Sequence, residues 1–185
     1  SLNFNWLIKL HPANIWKRDL EGQKGELAEI SVLKKFNLYP LPKHINLILP
    51  SSKISTMSLY KFIDVGVTVR GTAGIELPCF GIPVITAGTG RYSDLGFTVD
   101  SKNKVEYFNN LKNINKIKKL NPNKILKAKW HAIGIFCMRP WEFKSFRMIF
   151  GKFHNKNPLA LNVKLNLNSD MRIQNNIDLG RWVNW

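Results

Sequence analysis

Residues 64–90 read DVGVTVRGTAGIELPCFGIPVITAGTG, and this stretch decides the fold. A β-branched run, Asp64–Val69, enters a small-residue turn, Gly71-Thr72-Ala73-Gly74, which opens a short helical stretch over Ala73–Phe80. A second apolar run, Ile82–Thr86, follows a Gly-Ile-Pro entry. Strand, crossover helix, strand at this spacing predicts a parallel pair with ligands collecting at the carboxyl ends of the strands.

The pattern extends outward. Residues 4–10 (FNWLIKL) and 45–49 (INLIL) are further short runs bounded by Pro and Asn, as expected for buried strands. Between them, Gly25–Phe36 places Leu27, Ile30, Leu33 and Phe36 at helical spacing, and Thr56–Phe62 follows a Ser/Thr start signal. The expectation is an α/β fold: a Rossmann-like, doubly wound parallel sheet flanked by helices over residues 1–120. Beyond Asp100 the text turns rich in Lys and Asn, with a helix expected over Val105–Leu111 and a long amphipathic one from Asn123 to about Phe150, kinked before Pro140. Residues 121–185 therefore read as a basic, mainly helical extension packing on the first domain. In it Leu126, Trp130, Ile133, Cys137 and Trp141 share one face. Residues 151–170 read as an irregular connection, and 173–185 as a final short helix.

The 185 residues carry 28 Lys/Arg against 12 acids, a formal charge of +16. Folding does not require such an excess, so it points to an anionic partner. The charge is concentrated: residues 101–160 hold 14 basic residues and 2 acids. Two cysteines, Cys79 and Cys137, sit in apolar stretches and give neither a disulfide framework nor a four-ligand metal site, which fits a reducing compartment. The longest uncharged apolar run, Trp130–Met138, is about half of the roughly 20 residues a membrane-spanning helix needs.

Several residues carry candidate chemistry. Gly71 and Gly74, with Thr72 and Ala73 between them, let backbone amides approach an anion, and Thr72 adds a hydroxyl. Glu76, one turn into the helix, is placed to take the hydroxyls of a ribose whose phosphates rest on the turn. Lys9 and His11 share a strand face by alternation, at the carboxyl end of the first strand, and Arg70 is a further cation at the end of the third. A strand-end histidine also caps its own loop, the plainer role for His11. The Gly-rich loop Thr86–Phe97 displays Arg91 after Thr89 and Gly90, as a loop contacting phosphate or sugar would, or as a solvated surface loop. Ser55 and Thr56 are weak candidates near a base, with helix capping the favoured role. His131 and His154 lack acidic or Cys partners at ligand spacing and are expected to be structural, with no metal site.

The turn, Glu76 and the Gly81-Ile82-Pro83-Val84 entry together resemble the donor-binding half of GT-B glycosyltransferases, in particular bacterial capsule polysaccharide biosynthesis proteins. The resemblance covers roughly residues 4–115. Lys9-Leu10-His11-Pro12 is similar to that family's KxHP signature, and Gly96-Phe97-Thr98 to its Gly-Phe/Leu-Thr segment. Arg70 departs from the Ser or Asn common there. The resemblance implies a donor diphosphate held by Lys9, His11, Gly71 and Thr72 and a ribose held by Glu76. It also implies transfer of a sugar from a nucleotide-sugar, without metal or other cofactor, to a growing polysaccharide or lipid-linked acceptor in the cytoplasm.

In such enzymes the catalytic base comes from a separate N-terminal half, which nothing here resembles. The expectation is therefore that this chain is one half of a longer enzyme and inactive alone. Two alternatives share the same residues: a sugar-nucleotide epimerase half, and a non-catalytic basic domain associated with membrane. The Lys-rich segment interleaved with aromatics fits an anionic membrane surface, on the inner face of the cytoplasmic membrane, better than nucleic acid. No nucleic-acid-binding motif is present, and the aromatics recur at helical spacing.

Overall fold

The computed structural model describes residues 4–15 and 26–138, and the backbone of 146–150 and 161–165. His154, Trp141 and the final helix over 173–185 lie outside the described residues, as does the 151–170 connection apart from 161–165. The chain divides into two compact units, Ser1–Lys53 with Phe143–Trp185, and Ile54–Glu142.

In the first unit, β1 (Trp6–Lys9) and β2 (Ile45–Ile48) pair in parallel with Trp6 opposite Ile45 and Lys9 opposite Ile48. The ladder extends through the Leu10 amide to the Ile48 carbonyl at 3.0 Å. Helix α1 (Ala28–Lys35) lies between them in sequence and buries Ile30. Its Glu29 stands in the first turn and Lys34 and Lys35 in the last, the order that complements the helix dipole.

The second unit begins with α2 (Thr56–Leu59) running into a 3-10 turn, Tyr60–Phe62. Strand β3 (Gly66–Thr68), helix α3 (Ala73–Cys79) and strand β4 (Val84–Thr86) then form a β–α–β unit with Gly66 opposite Val84 and Thr68 opposite Thr86. The four expected parallel strands are present, and the architecture is mixed α/β. They lie in two separate two-stranded sheets, not in one four-stranded sheet. The hydrogen bonds of β4 show why it takes no further strand. One edge pairs with β3, and the other is taken by Val99, whose amide reaches the Val84 carbonyl at 2.8 Å and whose carbonyl accepts the Thr86 amide at 3.0 Å.

Helix α3 is short because Pro78 interrupts its hydrogen bonding in the last turn. The chain then reverses at Gly81, where φ is +80°, a conformation that favours glycine. The Gly81 carbonyl accepts the Leu120 amide at 2.9 Å. Two side-chain clusters form the core of this unit. Tyr60, Leu77, Ile82 and Val84 form one. Ile75, Tyr92, Phe97 and Ala128 form the other, with Leu120, Ala132 and Ile135 against it. All three residues of β4 are fully buried. Each large apolar side chain so buried contributes about 1.5–3 kcal/mol.

Helix α4 (Lys104–Lys112) starts at Asn103, whose side chain accepts the Glu106 amide at 2.9 Å, and a 3-10 turn, Ile114–Lys116, follows it. Helix α5 (Pro122–Ile133) is capped likewise by Asn121 on the Lys124 amide at 2.9 Å, with Pro in its first turn. It ends in a π-helical turn over Gly134–Met138. The expectation of a helix continuing to Phe150, and of a mainly helical extension, is corrected here. Strands β5 (Phe146–Phe150) and β6 (Leu161–Leu165) pair antiparallel, Phe146 opposite Leu165. Leu161-Asn162-Val163-Lys164-Leu165 alternates with period two, which a strand accommodates and a helix does not.

The face by which α5 packs also differs from expectation. Ala128 is fully buried and Ala132 is packed beside it, whereas Leu126, Trp130, Ile133 and Cys137 are exposed. Alanines let the backbones of α3 and α5 approach closely, which large side chains on that face would prevent.

His131, on α5, stacks its ring on Phe97 with centroids 5.6 Å apart, and its Nε2 is buried without a hydrogen-bond partner among the described residues. Burial holds its imidazole below the usual histidine range, since desolvation penalises the charged form. The unfolded chain therefore binds a proton near pH 6.5 that the folded chain takes up only at lower pH. Stability is full above that range and falls as the pH drops through it. Urea unfolding midpoints are expected to decrease on acidification from pH 7.5 to 5, with a shallower slope in His131→Phe. An unchanged slope in the variant would contradict this placement of the ring.

Candidate functional site

The turn between β3 and α3 is held from inside. The Gly71 amide donates to Thr68 Oγ1 at 3.2 Å, the Gly74 amide to the Gly71 carbonyl at 3.0 Å, and the Ile75 and Glu76 amides to the Thr72 carbonyl at 2.8 and 2.9 Å. Gly71, Gly74 and Glu76 thus offer no free backbone donor. Among the described residues, the amides of Thr72 and Ala73 have no intramolecular acceptor. Thr72 is exposed and Ala73 half-buried, so the turn presents two donors rather than the full row that its sequence advertised.

Gly74 is needed for packing. A Cβ there would meet the Tyr92 ring at 2.3 Å, and the Tyr92 hydroxyl donates to the Gly71 carbonyl at 3.1 Å. Tyr92 is buried and burial raises its phenol, Asp100 acting in the same sense and Arg91 against it, so it remains a donor at neutral pH. The loop after β4 is thereby seated on the turn.

A second contact fixes the same juxtaposition: Arg70 Nε donates to the Thr89 carbonyl at 3.2 Å. Gly90 lies beside the Arg70 side chain, and its amide donates to Ser93 Oγ at 2.7 Å. Arg70, Gly71, Thr72, Ala73, Gly74, Thr89 and Gly90 therefore form one group at the carboxyl ends of β3 and β4. Arg91, next in the chain, is exposed.

Asp100 braces the far end of this loop. Its Oδ1 accepts the hydroxyls of Thr86 at 3.1 Å and Thr98 at 2.7 Å, and its Oδ2 accepts the Asp94 amide at 2.8 Å. Asp94 sits at φ 61°, a region aspartate enters more readily than most residues. The carboxylate satisfies the hydroxyl of Thr86, which is fully buried at the end of β4.

Glu76 lies one turn beyond Thr72, on the same helix face. It is not solitary: the Tyr60 hydroxyl donates to its Oε2. Burial, and then the carboxylate itself, hold the Tyr60 phenol well above its ordinary range, so the proton stays on tyrosine. One carboxylate oxygen of Glu76 is committed, which orients the group and leaves Oε1 for a second donor.

Lys9 and His11 belong to the other unit. His11 Nδ1 accepts the Ala13 amide at 3.1 Å, so this ring caps its loop. Lys9 is half-buried on β1. Ser55 occupies the position before α2 without a side-chain cap bond, and the capping role is corrected: its carbonyl accepts Ser58 Oγ at 2.7 Å. Thr56 is exposed on α2. Cys79 packs within α3, its Sγ donating to the Ile75 carbonyl at 3.3 Å, and burial raises its thiol. Among the described residues no group of three or more His, Cys, Asp or Glu side chains is placed to hold a metal ion, and no helix is long and apolar enough to cross a membrane.

Sequence reasoning missed Tyr60 and Asp100, and Tyr92, expected to be displayed by the Gly-rich loop with Arg91, Ser93 and Asp94, is buried instead. Tyr60 and Tyr92 find their partners 16 and 21 residues away, and Asp100 reaches Thr86 14 residues away as well as the nearby Asp94 and Thr98. The single legible signal was the aspartate closing a Gly-rich loop. No protein-family model, curated protein or solved structure matches the chain.

Gly74→Ala is expected to destabilise the protein by about 1–3 kcal/mol, the usual cost of overpacking, read as a lower urea midpoint. An unchanged midpoint would show that the Tyr92 ring is not seated on this turn.

Proposed function

We propose that the carboxyl ends of β3 and β4 bind the diphosphate of a nucleotide-sugar, and that the chain is the donor-binding half of a glycosyltransferase acting on a surface polysaccharide. The observation that carries the reading is the pair of amides at Thr72 and Ala73, without an acceptor among the described residues, on the turn that follows Arg70, whose guanidinium is held on the Thr89 carbonyl. Two directed N–H donors with a fixed cation form an anion platform that costs no reorganisation when charge develops on a departing nucleotide. Arg70 Nε is committed to the Thr89 carbonyl, which leaves the other N–H groups of the guanidinium fork for a ligand.

Glu76 supports the nucleotide over inorganic phosphate as the ligand. With Oε2 held by Tyr60, its Oε1 is a fixed acceptor one turn from the platform, suited to a ribose hydroxyl. The resemblance to capsule polysaccharide glycosyltransferases supplies the reaction class. The catalytic base comes, on this reading, from a separate N-terminal half, and the acceptor is a growing polysaccharide or a lipid-linked sugar.

Calorimetry of the full chain with UDP, GDP, CDP and CMP tests the proposal. At least one diphosphate is expected to bind, more tightly than the monophosphate. Arg70→Ala is expected to weaken it roughly ten-fold, the loss of a charge-assisted hydrogen bond. Heat from none of the four, or binding indifferent to Arg70→Ala, would refute it.

A further inference from the structure

Helix α5 has two apolar faces and uses one. Ala128, Ala132 and, past the helix end, Ile135 pack on α3 and the Phe97 loop. Leu126, Trp130 and Ile133, spaced i, i+4, i+7 on the opposite side, are 54%, 66% and 42% exposed, and Met138 beyond them is 73% exposed. At 100° per residue Lys129 falls on one flank of this stripe and Lys127 on the other. Nine lysines stand between Lys102 and Lys129 against a single acid, Glu106. None of the nine forms an ion pair among the described residues.

We infer that this face of α5 docks on an anionic lipid surface, with Leu126, Trp130 and Ile133 entering the boundary between headgroups and acyl chains and the flanking lysines meeting lipid phosphates. The apolar stripe is exposed and the lysines are unpaired among the described residues, and a lipid interface satisfies both at once. A second copy of this chain would bring like charges together. A nucleic acid would use the lysines and stack on Trp130, but Leu126 and Ile133 give bases nothing to stack on. The inference is independent of nucleotide binding, which uses other residues.

Co-sedimentation of the full chain with vesicles of phosphatidylcholine, alone or mixed with phosphatidylglycerol, tests it. Binding is expected on the anionic vesicles only, weakening as salt rises. Lys127→Gln with Lys129→Gln should cost about five-fold per lysine, and Leu126→Ser with Trp130→Ser roughly ten-fold, while calorimetric nucleotide affinity stays unchanged. These side chains face outward, and unfolding curves check that the variants fold. Failure to pellet with phosphatidylglycerol at low salt would overturn the inference, as would equal binding by the Leu126/Trp130 variant. Tight binding of a thymidine oligomer, lost in Trp130→Ser while vesicles are ignored, would overturn it in favour of nucleic acid.

Discussion

The phenol of Tyr92 joins two segments that the sequence keeps 21 residues apart. Its ring fills the space above Gly74 and its hydroxyl takes the Gly71 carbonyl. This contact fixes both the turn after β3 and the loop after β4. The Arg70 hydrogen bond to the Thr89 carbonyl joins the same two segments. Asp100 provides the complementary restraint from the other end of the loop, and as a charged acceptor of three hydrogen bonds it is stronger than a neutral group would be. The site is thus a rigid strand-end turn with a loop fastened over it.

Much of the fold could be read because the signals were local. The apolar runs at 45–49, 64–69 and 82–86 became β2, β3 and β4, and the small-residue turn opened α3 where expected. What failed depended on distant partners. Nothing in 82–86 reveals that Val99 occupies the second edge of β4, so a single four-stranded sheet looked reasonable. On α5, large apolar side chains marked the wrong face, because close helix packing was satisfied by Ala128 and Ala132. The β5–β6 pair was missed because a sustained helical reading absorbed residues 146–150, and because the alternation at 161–165 is only five residues long inside an Asn-rich stretch that reads as an irregular connection.

The candidate site was legible in its backbone and not in its supports. Gly71 and Gly74 suggested open amides, yet both are spent within the turn, and Gly74 is small for the sake of Tyr92. The donors that remain belong to Thr72 and Ala73. Glu76 looked like a free carboxylate and is instead half-committed to Tyr60. These are the changes expected where hydroxyls buried in a core need acceptors. Charge has two uses in this part of the chain: one arginine held on the Thr89 carbonyl, and nine lysines from Lys102 to Lys129 that form no ion pair among the described residues.

On the proposed function, Thr72 and Ala73 present their amides to a nucleotide phosphate. Amide chemical-shift mapping of the 15N-labelled chain during titration with nucleoside diphosphates tests it at the atoms concerned. The resonances of Thr72 and Ala73 are expected to move earliest and farthest, with Thr89 and Gly90 following. Saturating nucleotide that leaves those two amides unmoved, or that perturbs only residues remote from the β3–α3 turn, would contradict it.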